Sequence, residues 1–376
     1  MSEKVTHKIS RLFSLDALRG LIVILMALDH ANYFVAQKHS PGEYWGGPFP
    51  TYDDPLAFLT RLVTHPVAPG FSLLMGIGMA LFVHSRRKRG WSKWAITRHF
   101  LIRGAMLIAL QLLVVNRAWE LSPQGWGLYF YFGVLVALGG GMILGSLLLW
   151  LKPGYLLALS LALLVGAELL TPAPGHWGPN FSLPHSVLLV PARQPPVWWV
   201  NYPILQWMEL VVFGLAFGRW LAKDPGETFS RAWKLGGTLL MAFVVVRYLD
   251  GFGNIRPRMG NSWIDWLNPV KYPPGITFTL MTTGVNLILL WAFSQVSERV
   301  QRFLGPLVVF GQAPLFFYVL HLFLYAWIAQ ALAPEGTSIS VMYPFWLLGL
   351  LILFPLSLWY GRFKHRQPAN SIWRFL

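Results

Sequence analysis

The chain has 376 residues, 55% of them apolar and 12% charged, with 19 Trp, 26 Phe, a formal net charge of +15 and no Cys. A soluble domain is usually near a quarter charged, so this balance points to lipid as the solvent. The lack of Cys excludes disulfides, thiolate catalysis and thiolate metal sites. The basic residues fall in short clusters between apolar runs, which is the pattern of inner-leaflet anchors and not of a nucleic-acid-binding face.

A helix needs roughly 20 apolar residues to cross a hydrocarbon core about 30 Å thick. Apolar runs between Pro, Gly and charge breaks predict ten spans: Ala17–Val35, Val67–Val83, Phe100–Val115, Leu128–Leu149, Tyr155–Leu170, Ile204–Leu221, Leu235–Leu249, Ile276–Phe293, Leu307–Ile328 and Phe345–Tyr360. The expected fold is therefore all-α, a polytopic integral membrane helical bundle forming one domain over residues 1–376. The short basic tail before the first span reads as part of a retained signal-anchor, because further spans follow. With the N-terminus inside, Lys4, Lys8, Arg11, Arg19, the Arg86–Arg89 cluster, Arg362, Lys364, Arg366 and Arg374 all fall on the cytoplasmic side, as do most of the 30 Lys and Arg. Both termini are thus expected in the cytoplasm, with the chain integral to the cytoplasmic (inner) membrane. Two long outer segments, Thr171–Pro203 and Asp250–Gly275, are rich in Pro, Gly, Asn and Trp and read as lids over a site or as plain connectors. No inverted repeat of the transporter kind is visible.

Ionisable groups inside a span are costly, so each is a candidate for function until a partner explains it. The first span reads SLDALRGLIVILMALDH. At 100° per residue, Arg19 lies about 60° and His30 about 40° from Asp16, with His30 about 20 Å further along the helix. Asp16 and Arg19 can form an interfacial ion pair, but that leaves His30, with Asp29 beside it, unexplained. His65 stands just before the second span in RLVTHPVAPGF, one turn after Arg61, and Pro66 and Pro69 break the helix there. Gln111, Glu209, Arg247, Asn286 and His321 follow in later spans, with Tyr318 and Tyr325 on the His321 face. Glu209 and Arg247 can neutralise each other, and His321 can be a packing residue. Taken together, these groups predict a wet polar chamber in the outer half of the bundle.

A neutral His near a carboxylate is the ordinary general base and can also accept an acyl group. Asp29 is placed to orient one ring nitrogen of such a His. Arg residues at the cytoplasmic mouth suit the phosphates of a large anionic donor. Coenzyme A fits, with its nucleotide on Arg19, Asp16 nearby, and Arg86, Arg87 or Arg98, although Arg86–Arg89 can equally be plain positive-inside anchoring. No two His share the i, i+4 spacing of metal ligands, so no metal is expected.

The D-x-x-R-G of Asp16–Gly20, with His eleven positions after the Arg, resembles the first-helix signature of the transmembrane acyltransferase superfamily. The stretches RLFSLDALRGLIVILMALDH and RLVTHPVAPGFSLLMGIGMALF resemble more closely the heparan-α-glucosaminide N-acetyltransferase branch and its bacterial relatives, and GQAPLFFYVLHL is similar to their late helix. The resemblance covers about a third of the chain. It implies acetyl-CoA as donor, bound from the cytoplasm, and transfer to an amino sugar or glycan on the other side. It also implies a catalytic His in the first outer loop, where this sequence offers His39, whereas the position of His30 is Asn in the lysosomal enzyme. His30, His65 and His39 are therefore all candidates, His30 and His65 first, with Asp29 beside them. Arg61, Glu209, Arg247, His321 and Tyr318 are candidate acceptor-binding residues. A proton-coupled transporter or carrier using the same His and acids is the competing reading. Oligomeric state is open, a dimer being compatible.

Overall fold

The fold follows from a chain that has to satisfy its backbone internally wherever lipid replaces water, which leaves helices as the spanning elements. In the computed structural model all residues are described except 1, 40–49, 53, 124, 126–129, 173–180, 369–370, 372 and 374–376 and the side chains of 2–12. Leu128, Arg374 and the side chains of Lys4, Lys8 and Arg11 thus lie outside the described residues.

The first helix, α1 (Ser2–Ala31), continues as a π-helical turn over Asn32–Ala36. A short α2 (Pro55–Leu62) turns through Val63–Pro66 into α3 (Val67–Arg87). Pro69 sits in the first turn of α3, where its missing N–H costs nothing, and the Pro66 carbonyl takes a 2.9 Å hydrogen bond from the Asn286 amide. Next come α4 (Lys93–Leu110), a second π turn (Gln111–Val115) and α5 (Asn116–Glu120).

The fourth span was expected from Leu128, but α6 (Val134–Leu148) begins later. Phe130–Phe132 is instead a strand, β1, and extended Gly133 separates it from the helix. After α7 (Pro153–Leu170), the outer segment holds α8 (Leu183–Leu188) and the strands β2 (Ala192–Gln194) and β3 (Trp198–Val200). Strand order is β1-β3-β2, with Tyr131 parallel-paired to Trp199 and Arg193 antiparallel to Trp199.

Four helices follow: α9 (Ile204–Lys223), α10 (Pro225–Leu249), a short α11 (Trp263–Leu267) and α12 (Ile276–Gln295). The ninth expected span is broken. Ala313 leaves helical geometry and Pro314 starts a new helix, giving α14 (Gly305–Gln312) and α15 (Pro314–Leu332) after α13 (Glu298–Phe303). The chain ends with α16 (Ile339–Arg366). Among the described residues, eight helical stretches are long and apolar enough to cross a membrane; α6 is a shorter apolar helix and α1 packs among them. This is an all-α polytopic membrane bundle.

Buried α1 and α9 form the middle of the bundle, while α7, α10 and α16 present most of their apolar surface outward. Without a hydrophobic drive between helices in lipid, close backbone approach matters most, and small residues provide it. On α1 against α14, a Cβ on Gly20 would stand 1.8 Å from the Leu307 carbonyl oxygen, and one on Gly311 would stand 1.9 Å from that of Asp16. The D-x-x-R-G and G-Q-A-P stretches, about 290 positions apart, are thus two sides of one seam. One end of the bundle carries Arg86–Arg89 and the last turn of α16 (the basic end), and the other carries β1–β3 and the segment 250–275 (the loop end).

Candidate active site

Along the α1 seam the polar residues occur in two groups. Near the basic end, Arg19 Nη1 donates to Asp16 Oδ1 at 2.7 Å and to the Gly311 carbonyl at 3.2 Å. About 16 Å further along the same helix, at 1.5 Å per residue, stands half-buried His30. Its Nδ1 is 2.6 Å from His321 Nε2, and His321 Nδ1 is 3.0 Å from the Phe317 carbonyl. A carbonyl can only accept, so His321 Nδ1 carries a proton and, in the neutral ring, its Nε2 accepts from His30 Nδ1. The chain of bonds therefore leaves the lone pair of His30 on Nε2. Tyr318 and Tyr325, expected on the same face of α15, both pack against the His321 ring.

Asp29 does not orient His30. Its carboxylate faces the other way and accepts from buried Arg61, from Thr64 Oγ1 at 2.9 Å and lies 3.6 Å from His39 Nε2. A continued helix would carry residue 39 about 15 Å away from residue 29. The π turn and left-handed Gln37 (φ 56°) reverse the chain instead, and Gln37 Nε2 holds the reversal by donating to the Pro334 carbonyl at 3.0 Å. The second π turn, on α4, precedes Trp119, whose ring meets His30 edge-on at 5.4 Å, stacks on Phe34 and meets Tyr33 at 4.9 Å. Tyr33 also meets the His39 ring at 5.9 Å, so the two His face one aromatic floor. Both π turns re-phase a helix at this point, as such turns often do at functional sites.

Lys271, in the segment before α12, is buried within electrostatic reach of both Asp29 and His30, with its ammonium 5.2 Å from the Tyr272 ring. Tyr272 shares a 2.9 Å hydroxyl contact with Tyr202, and burial pushes the phenol of Tyr202 well above its ordinary value, so it stays a neutral donor.

A cavity of about 310 Å³ lies between the basic end and this group, touching it through Tyr318, whose ring packs against His321. Arg19, Arg103 and Lys364 line its mouth, Met75, Phe82 and Leu138 belong to its walls, and Tyr318, one turn before His321, marks its inner end. Arg103, Lys364 and Gln312 on this cavity were not singled out in the sequence. Of the expected donor-site residues, Arg19 lines it. Arg86 lies over the Phe82 and Trp91 rings at 4.8 and 5.0 Å, Arg87 donates to the Trp91 carbonyl, and Arg98 is exposed on α4.

The remaining candidates sit elsewhere. His65 is buried at the α2–α3 turn with its ring against Phe278 of α12. The expected Glu209–Arg247 pairing does not occur. Arg247 donates to Asn254 Oδ1 at 2.8 Å and to the carbonyls of Asp265, Trp266 and Asn268. Glu209 takes a long 3.4 Å contact from Thr279 Oγ1. The reason is local: the segment after α10 doubles back over its end and offers Arg247 a cage of carbonyls at close range. Glu168 of α7 clamps the same segment, accepting from the backbone N–H groups of Gly253, Ile255 and Ile276.

Fold and site together define a polytopic membrane protein with a largely buried cluster of His and Asp side chains and, toward its basic end, a cavity lined by cations. Residues 11–247 match the family described as heparan-alpha-glucosaminide N-acetyltransferase, catalytic, and the chain belongs to that family. Asp16, Arg19, Asp29, His30, His39 and Arg61 lie within the matched stretch, whereas Lys271 and His321 lie beyond it. The chain is similar to heparan-alpha-glucosaminide N-acetyltransferase of Homo sapiens, 31% identical over 129 residues, which is 34% of this chain and 17% of that protein. It is also similar to the protein of that name from Mus musculus, 30% identical over 130 residues, 35% of this chain and 18% of the other. These matches span less than a fifth of the relatives' own length.

Proposed function

We propose that the chain is a membrane acetyltransferase that moves an acetyl group from acetyl-CoA, bound at the basic, cytoplasmic end, to an amino sugar or glycan entering from the loop end, with both chain termini in the cytoplasm. The observation that carries this reading is a cavity lined by three cationic side chains and by Tyr318, whose ring packs against His321 of the His321–His30 pair. Arg19, Arg103 and Lys364 suit the phosphates of a nucleotide-bearing thioester, and the apolar walls suit its extended arm.

In this reading His39 is the general base. It has the carboxylate partner that orients an imidazole, Asp29, which is itself fixed by Arg61 and Thr64, and it is reachable from the loop end. The acceptor amine gives its proton to His39 as its nitrogen attacks the thioester carbonyl carbon; the C–N bond forms, the C–S bond breaks, and the sulfur leaves as a thiol after taking up a proton. His30, with its Nε2 lone pair set by His321, accepts a hydrogen bond from the acceptor and aligns it. Tyr33, Trp119, Tyr202 and Tyr272 supply the stacking surfaces and hydroxyls that a sugar ring needs.

The test is coenzyme A release by purified chain given acetyl-CoA and glucosamine-terminated oligosaccharides. Acceptor-dependent release, with the product N- or O-acetylated by mass, is the expected outcome. Absence of release with every acceptor, alongside solute accumulation in vesicles driven by a proton gradient, would establish the transporter reading instead.

A further inference from the structure

On the face of α3 turned away from the donor cavity, a second and larger hollow of about 610 Å³ opens at the basic end. It lies between the last turns of α3 and α9 and the short connection from α6 to α7. Arg87, Lys88, Arg219, Lys223 and His84 line it with the Trp150 indole, and its other lining residues are small and apolar. Among the described residues, no carboxylate lines it. The nearest acid in sequence, Asp224, is committed to capping α10 through the Glu227 N–H at 3.0 Å.

Two features show a built site and not merely a row of surface cations. The guanidinium of Arg219 is fixed by donating to the carbonyls of Leu149 and Leu151, just past the end of α6, so its charge is held in place. Trp150 is held too, with the Lys93 ammonium 5.3 Å above its ring. The hollow sits where a run of apolar helix surface gives way to charge, the depth of phospholipid headgroups, where Trp and Lys/Arg gather. A free soluble anion would need the cations but not the apolar floor or the indole.

We propose that this hollow binds the headgroup of an anionic phospholipid, with the phosphodiester between Arg219, Lys88 and Lys223 and the first acyl carbons on the small apolar side chains. Bound there, the lipid bridges α3, which walls the donor cavity, α9, which packs against α3, and the α6–α7 connection. The site stands independently of the catalytic reading.

The experiment is thermal unfolding of the full detergent-purified chain titrated with dioleoylphosphatidylglycerol, dioleoylphosphatidylcholine or inorganic phosphate. The expected result is a rise in midpoint with phosphatidylglycerol alone. Lys88→Gln together with Lys223→Gln raises the lipid concentration needed for half that rise by roughly tenfold or more, while Arg103→Gln, in the donor cavity, leaves it unchanged. An equal rise with phosphatidylcholine, an equal rise with inorganic phosphate, or an unaltered response of the double variant overturns the proposal. Should the double variant fail to fold, native mass spectrometry of the wild-type chain decides. Phosphatidylglycerol adducts that outlast phosphatidylcholine adducts at equal collision energy support the site, and equal loss rejects it.

Discussion

The two ends of the bundle use arginine in opposite ways. At the loop end, Arg61 and Arg247 are fully buried and their guanidinium groups are occupied by protein, Arg61 by Asp29 and Thr64, Arg247 by three carbonyls and an amide oxygen. At the basic end, Arg19 and Arg103 line a cavity, and Arg86 rests on aromatic rings. A cation turned wholly into protein holds the fold, and one that faces a hollow is available to a ligand even where part of its guanidinium is tied down, as Arg19 is by Asp16 and Arg219 by the Leu149 and Leu151 carbonyls. Burial plus partner list, and not residue type, separates the two.

The sharpest way to break this comparison is at the His residues, which belong to the loop end but are not consumed by it. His39→Ala is expected to lower kcat by about 10²–10⁴-fold, the range for loss of a general base, with the thermal midpoint little changed because His39 is on a loop and partly exposed. His30→Ala and His321→Ala should each cost less, about tenfold, through misalignment of the acceptor. Steady-state kinetics of the three variants ranks them, and a His30→Ala loss exceeding that of His39→Ala would transfer the base role to His30.

Arg247→Gln comes next. It strands the carbonyls of Asp265, Trp266 and Asn268, and loss of hydrogen bonds from a buried charged group costs roughly 1.5–3 kcal/mol each in favourable cases, with partial recovery by Gln. A net loss of about 3 kcal/mol is expected, read as a fall in thermal midpoint in detergent. Activity of the surviving folded fraction should be near normal. A stable Arg247→Gln chain with a raised KM for the acceptor would instead make Arg247 a ligand-binding group.

Arg19→Gln and Arg103→Gln test the other half of the comparison. Each should raise KM for acetyl-CoA by about tenfold, equivalent to about 1.4 kcal/mol, and leave kcat and the midpoint almost unchanged. Equal effects on acetyl-CoA and on an acetyl thioester lacking phosphates would remove the donor-phosphate role from both.

The helices were legible from hydropathy because the period and length of lipid-facing runs are set by the solvent, not by partners. The breaks were less so. The start of α6 at Val134 depends on β1 pairing with β3 some 68 residues later, and the α14–α15 break at Ala313 depends on Gly311 pressing against α1. Of the site, the motif residues Arg19, Asp29, His30, His39 and His321 could be singled out, because charge and imidazole stand out in an apolar chain. Their pairing could not. Asp29 and His30 are adjacent in sequence yet serve different partners, since neighbours on a helix point about 100° apart. Lys271, Trp119 and Arg103 gave no signal: one lies in a Pro-rich connector, one is among 19 Trp, and one reads as a membrane anchor.

The smallest expected effect concerns the reversal that brings His39 to Asp29. Gln37 adopts a left-handed backbone, which for a side chain other than Gly costs roughly 1–2 kcal/mol. Its Nε2 donates to the Pro334 carbonyl, an exposed bond contributing about 0.5–1 kcal/mol. Gln37→Gly removes both the cost and the bond, and Gly also gives the unfolded chain more freedom to lose. The stability change should therefore be within about 1 kcal/mol of zero. Gln37→Ala loses the bond and keeps the strain, so it should be the less stable of the two. The kinetics should run the other way from a pure stability effect. Gly loosens the turn that sets the His39–Asp29 distance, and kcat should fall a few-fold in Gln37→Gly even where its midpoint matches the wild type. If kcat follows the midpoint in both variants, the turn contributes stability alone and the position of His39 is fixed by something else at the loop end.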